Sequence, residues 1–565
     1  MSGFDEKGTG VGLSKPRALS PLKSNEAPMS RTMNVLGISG HDRDAAAALA
    51  VDGRIVAAVT EDSFARVPGA GYAQTGGFPH AAVKACLSIA GLEPGDVSEV
   101  VVVDDAWSPR SFLARAESRA DRGNGFEAPV RSIDPIHADA LHAAASDPSS
   151  TSVVVCGANP PVLAVFACRD GRLGPRVDVA GAEALVDAAR GLAGALGLDA
   201  HDPFASLDRL SLGAEPEFQA EVGKVLRWNG AGFGSDGDPA ALSAVARQVA
   251  GEHALGLADA GSLNAQVQRT RRALAASFTS ELAKSVAGMA EDVRSKNGSG
   301  PIAVGGSAFG NARFNTELVP LMGQELKYAA VPEAFGRALG AAGAGSVNGS
   351  GLALGPAFSE EEIKRTLDNC RLDYVYEPDW KRLLARVSRM LAQGKVVGWF
   401  QGAMTFGPRA LGTRSILCDP SNRYARQNMN EYLRQAPIDE PLPLAITSSM
   451  VDACLVSGPK LSGVSDVAVR QEWRQSLAAA LDWRHRARVH PLTGEGSPRF
   501  HDLLDAHYAA TGTPGLIEAN LAGPGEPAAC TPRDAVRTVY SSAIDALVIG
   551  RFLLMKDYWL LRSQD

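Results

Sequence analysis

The feature that most constrains the fold is a series of short apolar runs that begins abruptly at Met33. MNVLGISG, AAAALAVDG and RIVAAVTED predict three strands. Asp52-Gly53 predicts a tight hairpin between the second and third strands, because both turn residues tolerate a positive φ. FPHAAVKACLSIAGL then has apolar positions at helical spacing with Gly91 as its C-cap, and VSEVVVVDD predicts a further strand. The chain therefore starts with a mixed sheet rather than a helical bundle.

The same pattern returns from about residue 151. TSVVVCG and PVLAVFACRDGR predict strands, a long helical region covers roughly 180–300, and PIAVGGSAFGN predicts a strand followed by a glycine turn. Two such units predict a duplicated ribonuclease-H-like, actin/hexokinase-type α/β domain. VNGSGLALGP then predicts a linker, and SEEEIKRTLDN carries a capping box at the start of an α+β unit. We expect a disordered tail at 1–32, an N-terminal domain at 33–350 and a C-terminal domain at 351–565.

Composition excludes several classes of protein. The chain is 45% hydrophobic and 21% charged, with a formal net charge of -7, so there is no electrostatic case for binding nucleic acid or an anionic membrane. No apolar run approaches the ~20 residues of a membrane span. Seven scattered cysteines without a CxxC pair favour reduced thiols in the cytoplasm. We interpret the basic segment WRHRARVH as a solvated helix face rather than an RNA site.

One segment carries a specific family motif. KVVGWFQGAMTFGPRALGTRSILCDP, together with VLGISG and its hairpin, and with PRFHDLLDAHYAATGTP, resembles the ATP-dependent O-carbamoyltransferases of nodulation-factor, cephamycin and aminoglycoside biosynthesis. The resemblance runs from about residue 33 to about residue 561. It implies an actin-like N-terminal domain, similar to the proteins that transfer threonylcarbamoyl groups to tRNA, and a YrdC-like C-terminal domain.

The resemblance also implies a reaction. The C-terminal domain would form carbamoyl-adenylate from carbamoyl phosphate and ATP. The N-terminal domain, with a divalent metal such as iron or zinc held by two histidines, would pass the carbamoyl group to a hydroxyl. Anionic intermediates of this kind need clustered cations and backbone amides. Family members often dimerise, so a homodimer is expected as well.

The N-terminal catalytic positions depart from the family pattern. Where the family has Tyr-His-Asp-Ser after the first strand, this chain has Arg43 at the His position and keeps Asp44, while His41 lies two residues early. Arginine cannot serve as a base, because it stays protonated. The resemblance makes His41, Arg43, Asp44 and His142 the catalytic candidates.

The family's metal motif, His-His-x-x-His-Ala-Ala, is also altered. His142 matches its last histidine, but the position four residues earlier is Ala138. Four-residue spacing on a helix separates two side chains by ~40°, whereas the five-residue spacing of His137 and His142 separates them by ~140°. The candidate ligands are therefore His142 and Asp139, with His137 on another face; a helix start with one satisfied histidine is the competing interpretation.

The phosphate-binding turns of the N-terminal domain are partly kept. Gly305, Gly306 and Asn311 match the family and are candidate nucleotide-binding residues. The family turn Asp-Gly-x-Gly-acid becomes the segment 156–160, CGANP, which has lost both carboxyls and the second glycine. It also gains Pro160, which has no amide hydrogen to donate.

The C-terminal anion site is better preserved. The resemblance assigns Arg409, Arg434, Arg488 and Asn520 to nucleotide or carbamoyl-phosphate binding. Arg434 replaces a family lysine. Glu440 replaces a family arginine, and a carboxylate there would repel a phosphate.

Two main hypotheses follow. The first is a degenerate carbamoyltransferase that acts as a non-catalytic partner of an active relative or of a biosynthetic protein, because changes fall on the base, the metal ligands and the phosphate turns together. The second is an active O-carbamoyltransferase with a rebuilt site, using ATP, carbamoyl phosphate and a metal. A fold reused for another adenylate-dependent reaction is a third hypothesis, for which the chain offers no motif.

Overall fold

The computed structural model describes most of the chain from residue 32 onward. The described residues are 32–103, 128–230, 232–234, 244, 260–298, 300–322, 326–331, 333–343, 351–436, 440–456, 465–492, 494 and 496–556. The expected tail, except for its last residue, lies outside these ranges. So does the segment 344–350 at the expected domain boundary.

The first sheet has five strands in the order β3-β2-β1-β4-β5. β2 is antiparallel to β1 and β3, whereas β4 and β5 run parallel to β1. Asp52 and Gly53 join β2 to β3 with φ angles of 49° and 76°, so the predicted hairpin is confirmed. The strands are β1 Asn34–Ser39, β2 Ala46–Val51, β3 Arg54–Thr60, β4 Glu99–Val103 and β5 Val130–Ile133.

The second sheet repeats this topology in the order β12-β11-β6-β7-β8. The strands β6, β7 and β8 form an antiparallel meander, and β11 and β12 run parallel to β6. β9 and β10 pair separately. The prediction of a duplicated actin-like α/β fold is confirmed by this shared strand order. The strands are β6 Ser152–Gly157, β7 Val162–Arg169, β8 Arg172–Asp178, β9 Arg227–Trp228, β10 Phe233–Gly234, β11 Ile302–Gly305 and β12 Leu326–Tyr328.

Two helices pack between the two sheets, and glycines allow the contact. Helix Glu333–Ala341 lies on β1 and β2, helix Pro135–Ser146 lies on β6 and β11, and the two helices pack on each other. A Cβ at Gly340 would come within 2.0 Å of the Ala138 carbonyl oxygen, so only glycine permits this approach. The other helices before residue 350 are Asp62–Ala65, His80–Ala90, Ala182–Ala195, Pro203–Leu210, Gln219–Gly223, Ala260–Asn297 and Ala312–Met322, with 3-10 turns at Pro94–Asp96 and Ser307–Gly310.

The C-terminal part is built on one nine-stranded mixed sheet in the order β13-β21-β20-β14-β15-β19-β16-β18-β17. Apolar side chains cover both faces of this sheet. The strands are β13 Val375–Tyr376, β14 Val397–Phe400, β15 Arg414–Cys418, β16 Pro443–Thr447, β17 Ser465–Ala468, β18 Arg486–Leu492, β19 Gly515–Asn520, β20 Ala546–Ile549 and β21 Phe552–Met555. The helices are Glu360–Asn369, Trp380–Ala392, Ala425–Gln427, Ser448–Cys454, Pro498–Thr511 and Pro532–Tyr540, with a π-helical segment at Asn428–Arg434 and 3-10 turns at Gln471–Trp473 and Ala478–Ala480.

Of two local predictions for the C-terminal part, one is confirmed and one is wrong. Ser359 and Glu362 form the predicted capping box. The interpretation of WRHRARVH as a helix face is wrong, because its second half forms strand β18. Ala487 and Val489 are buried there while Arg486 and Arg488 are partly exposed, which is the alternation of a strand. Among the described helices, none combines the length and the apolar character that a bilayer crossing requires.

Candidate functional site

A polar cavity of about 470 Å³ opens where turns of the two N-terminal sheets meet. It is lined by Asp42, Arg43, Asp44, Asn159, Pro160, Asp199, His201, Asp202, Ala205, Ser206, Arg209, Ser307 and Arg337. Two catalytic candidates, Arg43 and Asp44, are among these residues. Arg43 Nη1 lies 3.3 Å from Asp199 Oδ2, so the arginine at the family's histidine position forms an ion pair across the cleft. Burial raises the pKa of Asp44, and the charge of Arg43 opposes that rise.

His41 does not replace the missing base in this structure. Its Nδ1 lies 2.6 Å from Asp42 Oδ1. The imidazole packs edge-on against Tyr72, with ring centroids 5.1 Å apart. The ring is therefore held by its immediate neighbours.

The metal candidates are already engaged by the protein itself. His142 Nε2 accepts a hydrogen bond from the Val331 backbone N–H at 3.2 Å, and burial lowers the pKa of His142 to about 4. Asp139 Oδ2 lies 3.0 Å from Arg337 Nε, and both residues are buried. His137 packs against the ring of Phe166 instead. In the part of the chain that the structure describes, no three His, Cys, Asp or Glu side chains are placed to hold a metal, so these residues do not fit one.

The turn after β6 does not fit a phosphate either. The Ala158 N–H donates to Ser307 Oγ at 3.2 Å, and Pro160 has no N–H. Arg337 Nη2 donates to the Asn159 carbonyl oxygen at 2.6 Å, and Arg190 Nη2 donates to the Ala158 carbonyl oxygen at 2.7 Å. One amide and two carbonyl oxygens of this turn are therefore already bonded within the chain, and Pro160 supplies no donor in their place.

The candidate glycines of the second sheet serve the fold. Gly306 has a φ of 91°, and a Cβ there would come within 2.4 Å of the Cys156 carbonyl oxygen. At Gly305 the contact is less severe, since a Cβ there would lie 3.2 Å from the Asp139 carbonyl oxygen and from the Ala143 Cβ. Asn311 Nδ2 donates to the carbonyl oxygens of the preceding 3-10 turn at 2.9 and 3.2 Å. These three candidate nucleotide-binding residues therefore support the wall of the cleft but are not among its lining residues. Ser307, which follows Gly306, does line the cleft.

A second cavity, of about 290 Å³, lies in the C-terminal part. It brings together three of the four residues that the sequence assigned to anion binding. Its lining residues are Pro408, Arg409, Ala410, Leu433, Arg434, Pro443, His490, Glu518, Ala519, Asn520, Ala522, Gly523, Pro524 and Gly525.

Arg409 is the available cation of this cavity. Its guanidinium forms no hydrogen bond or ion pair with any residue in the described ranges. Burial, with the nearby charge of Arg488, lowers the pKa of Arg409 to about 10, so it remains charged at neutral pH. Arg414, the other arginine of the same motif, is different: it donates to four backbone carbonyl oxygens and stacks on Phe400. One motif arginine is therefore available to a ligand and the other is structural.

Arg434 and Asn520 line the cavity but are committed elsewhere. Arg434 Nη2 lies 2.7 Å from Glu440 Oε1. The glutamate that stands at a family arginine position therefore neutralises this cation. Asn520 Oδ1 accepts from the Ala410 N–H and its Nδ2 donates to the Pro408 carbonyl oxygen, both at 2.9 Å. Asn520 therefore holds the loop that carries Arg409.

Arg488 lies behind the cavity rather than in its lining. Its Nε is 3.1 Å from Asp466 Oδ1 and its Nη2 is 3.4 Å from Asp466 Oδ2. Burial raises the pKa of Asp208, on the helix Pro203–Leu210 beside the N-terminal cleft, and the charge of Arg488 opposes that rise. This arginine therefore links the two parts of the chain electrostatically.

Two buried polar residues of the cavity escaped the sequence analysis. His490 and Glu518 are 6% and 3% exposed, and His490 Nδ1 lies 3.9 Å from Glu518 Oε2. A signal for Glu518 was present, since it precedes the candidate Asn520 by two residues on strand β19 and therefore lies on the same face of the sheet. His490 carried no such signal, because it is brought to the cavity only by the pairing of β18 with β16.

Residues 388–556 match the family model described as Carbamoyltransferase C-terminus. The C-terminal part of this chain belongs to the carbamoyltransferase family. This carbamoyltransferase domain contains the second cavity and all its lining residues.

Curated relatives agree with the family. The chain is 29% identical over 234 residues to 3'-hydroxymethylcephem-O-carbamoyltransferase of Amycolatopsis lactamdurans, covering 38% of this chain and 43% of that protein. It is 30% identical over 170 residues to nodulation protein NolO of Bradyrhizobium diazoefficiens, covering 29% and 31%. It is 33% identical over 238 residues to an uncharacterised protein of Synechocystis sp., covering 38% and 39%. The matches thus span less than half of each relative.

Solved structures are more distant. The alignment with a ROK hexokinase from Thermus thermophilus covers 55% of this chain and 98% of the hexokinase chain, with a TM-score of 0.29 and 16% identity. Full-length HypF in its phosphate- and nucleotide-bound form covers 56% and 46%, with a TM-score of 0.32 and 11% identity. Because these scores are low, the actin-like assignment rests on the strand order of the two N-terminal sheets.

Proposed function

We propose that this protein binds a carbamoyl-phosphate-type anion in its C-terminal cavity but does not itself catalyse carbamoyl transfer. It acts as a partner of an active carbamoyltransferase or of a biosynthetic protein. The observation that carries the proposal is the engagement of the metal candidates: His142 Nε2 accepts from Val331, and Asp139 pairs with Arg337. A transfer site that depends on these side chains would have to break both buried contacts first.

The retained binding function rests on Arg409. An unpaired guanidinium beside a small polar cavity stabilises one anionic group by charge-assisted hydrogen bonds. Asn520 contributes by fixing the loop 408–410. Arg434 adds little charge, because Glu440 neutralises it. The cavity is therefore suited to a single phosphate-sized anion rather than to a nucleotide triphosphate.

The proposal includes the finer expectations of the family resemblance. The C-terminal part would be YrdC-like, the protein would work in the cytoplasm, and it would assemble as a homodimer or with an active paralogue. The pathway would be one that makes a natural product or a polysaccharide. ATP and a divalent metal would be used by the active partner, since the N-terminal turn after β6 and the residues around His142 do not fit them here.

The second candidate function is an active ATP- and carbamoyl-phosphate-dependent O-carbamoyltransferase. The availability of the Arg409 guanidinium favours this function, because carbamoyl-adenylate formation would need a cation that binds the phosphate groups. Arg43 and Asp44 would then meet the acceptor in the N-terminal cleft.

Turnover by the purified full chain separates the two functions. The protein is incubated with ATP, labelled carbamoyl phosphate and iron or zinc, and AMP and labelled products are quantified against an active relative. We expect no carbamoyl-phosphate-dependent AMP above the level of the R409Q variant, and we expect recovery of a catalytic relative when the protein is purified from its own cells. Sustained AMP formation that R409Q abolishes would replace the first proposal with the second.

A further inference from the structure

Two buried polar atoms at the C-terminal cavity have no hydrogen-bond partner among the residues that the structure describes. Among the described residues, nothing forms a hydrogen bond with His490 Nδ1 or with Glu518 Oε2, although both side chains are more than nine-tenths buried. The atoms are 3.9 Å apart, which is too far for a hydrogen bond between them. Burying such groups unpaired is unfavourable, so a ligand that satisfies both gains affinity at this point.

Glu518 is held in one orientation by its other oxygen. Oε1 accepts hydrogen bonds from the Gly412 N–H at 2.5 Å and from Ser415 Oγ at 2.6 Å. The carboxylate therefore cannot turn without losing both bonds. Oε2 is left as a fixed acceptor in a residue that lines the cavity.

His490 is suited to the same role. Burial lowers the pKa of its imidazole; the neighbouring carboxylate of Glu518 opposes this fall, and the charge of Arg409 adds to it. The ring is therefore neutral at neutral pH. In the tautomer with the proton on Nε2, its Nδ1 is an acceptor.

The spacing of the two acceptors matches one amino group. For a nitrogen placed about 2.9 Å from each atom, the acceptor–nitrogen–acceptor angle is about 85°. The two hydrogens of a single –NH2 can therefore be donated to both acceptors. A methyl group of the same size offers no such hydrogens. Arg409 lines the same cavity and can hold an anionic group of the same ligand.

We propose that His490 and Glu518 form an amino-group clamp that selects a carbamoyl-bearing anion, with the anionic group on Arg409. The inference rests on the proposed binding function and adds the residues that determine its specificity. The clamp recognises the –NH2 of the carbamoyl group, so the cavity discriminates carbamoyl phosphate from acetyl phosphate, in which a methyl group replaces the amino group.

The test is a pair of calorimetric titrations of the full-length protein, one with carbamoyl phosphate and one with acetyl phosphate. We expect the wild-type protein to prefer carbamoyl phosphate by about tenfold or more. The E518Q variant should lose this preference. Its amide oxygen takes over the bonds from Gly412 and Ser415, which turns the –NH2 toward the ligand and places donor against donor.

Two further variants complete the test. H490L removes the other acceptor and should also reduce the preference, whereas E440Q should alter the affinity for both ligands alike and leave their ratio unchanged. Inorganic phosphate serves as the probe of an intact Arg409 subsite in each variant. If E518Q no longer binds phosphate, H490L decides the role of the clamp.

The outcomes separate the clamp from the proposed function. Equal wild-type affinity for the two acyl phosphates would overturn the clamp and leave anion binding in place. Lack of binding of both would overturn the clamp together with the proposed ligand. Turnover of carbamoyl phosphate would overturn only the non-catalytic role. The ratio of the affinities for carbamoyl phosphate and acetyl phosphate would still test the clamp.

Discussion

At the scale of single residues, neighbours decide which charged groups remain available to a ligand. Arg409 and Arg434 line one cavity, yet Glu440 neutralises only the second. In the N-terminal part, Asp139 is likewise paired with Arg337, and His142 accepts a hydrogen bond from the Val331 N–H. Matching a family position is therefore not enough to make a side chain available to a ligand, because its neighbours in this fold can engage it.

His142→Gln tests whether this histidine is a neutral structural acceptor. The pKa of His142 is lowered to about 4, so between pH 6.5 and pH 4 the unfolded chain binds the proton more readily than the folded protein. The wild type should therefore lose stability relative to H142Q as the pH falls through this range, by roughly 3 kcal/mol at most. Thermal unfolding of both proteins across this range measures the difference. Parallel curves would show that His142 is not held neutral.

The sequence predicted part of the candidate site. Arg409, Arg434 and Asn520 meet at one cavity because they follow the family motif. The state of Arg434 could not be predicted, because its pairing with Glu440 is a contact that only the folded chain shows. The proximity of His490 and Glu518 could not be predicted either, since they lie on β18 and β19, which are neighbours only through β16.

At the scale of elements, helix Pro203–Leu210 carries residues of the N-terminal cleft and a buried carboxylate on which Arg488 acts. Ala205, Ser206 and Arg209 of this helix line the N-terminal cleft. Asp208, on the same helix, is buried, and its Oδ1 accepts a hydrogen bond from the Phe314 N–H at 2.9 Å. The charge of Arg488 also acts on Asp208. A shift of this helix would therefore affect the cleft and the surroundings of Arg488 together.

Asp208→Asn tests this buried connection. Burial raises the pKa of Asp208 to about 6, so between pH 4 and pH 6 the folded protein binds the proton more readily than the unfolded chain. The wild type should lose stability relative to D208N as the pH rises, which is the opposite direction to His142, by roughly 3 kcal/mol at most. Asn keeps the acceptor for Phe314. A difference in stability that does not change with pH would contradict the buried, proton-linked state.

Strand and helix types were largely predictable, for local reasons. The Asp52-Gly53 turn and the capping box at Ser359 are set by residues within a few positions, and both are confirmed. WRHRARVH was misassigned because a short segment with alternating small and charged residues fits two periodicities. Its pairing with β16 and β17, which decides for a strand, is a tertiary contact.

At the scale of the whole molecule, the two parts differ in how many of their candidate residues remain available to a ligand. The C-terminal cavity keeps an available cation and an ordered loop. The N-terminal cleft has an ion pair at the position of the base and turns whose polar groups are used by the chain. The duplicated sheets persist in spite of this, because their packing depends on glycines and apolar strands rather than on the site residues.

Metal removal tests the N-terminal half of this account. Because His142 and Asp139 are already bound by other residues, we expect the purified protein to hold well below one equivalent of iron or zinc. Chelation should leave the thermal midpoint unchanged, since only a metal that binds the folded state stabilises it. Elemental analysis and thermal unfolding of the same sample check both points. A stoichiometric metal whose removal lowers the midpoint would show that the ligands rearrange around it.

The most direct test of the central claim is calorimetric titration of carbamoyl phosphate into wild-type protein and the matched variants R409Q and R434Q. The account predicts one site per chain in the wild type, at least about tenfold weaker binding in R409Q, and a change of less than about threefold in R434Q, because only Arg409 is unpaired. Wild-type protein that does not bind carbamoyl phosphate, or equal losses in the two variants, would contradict it.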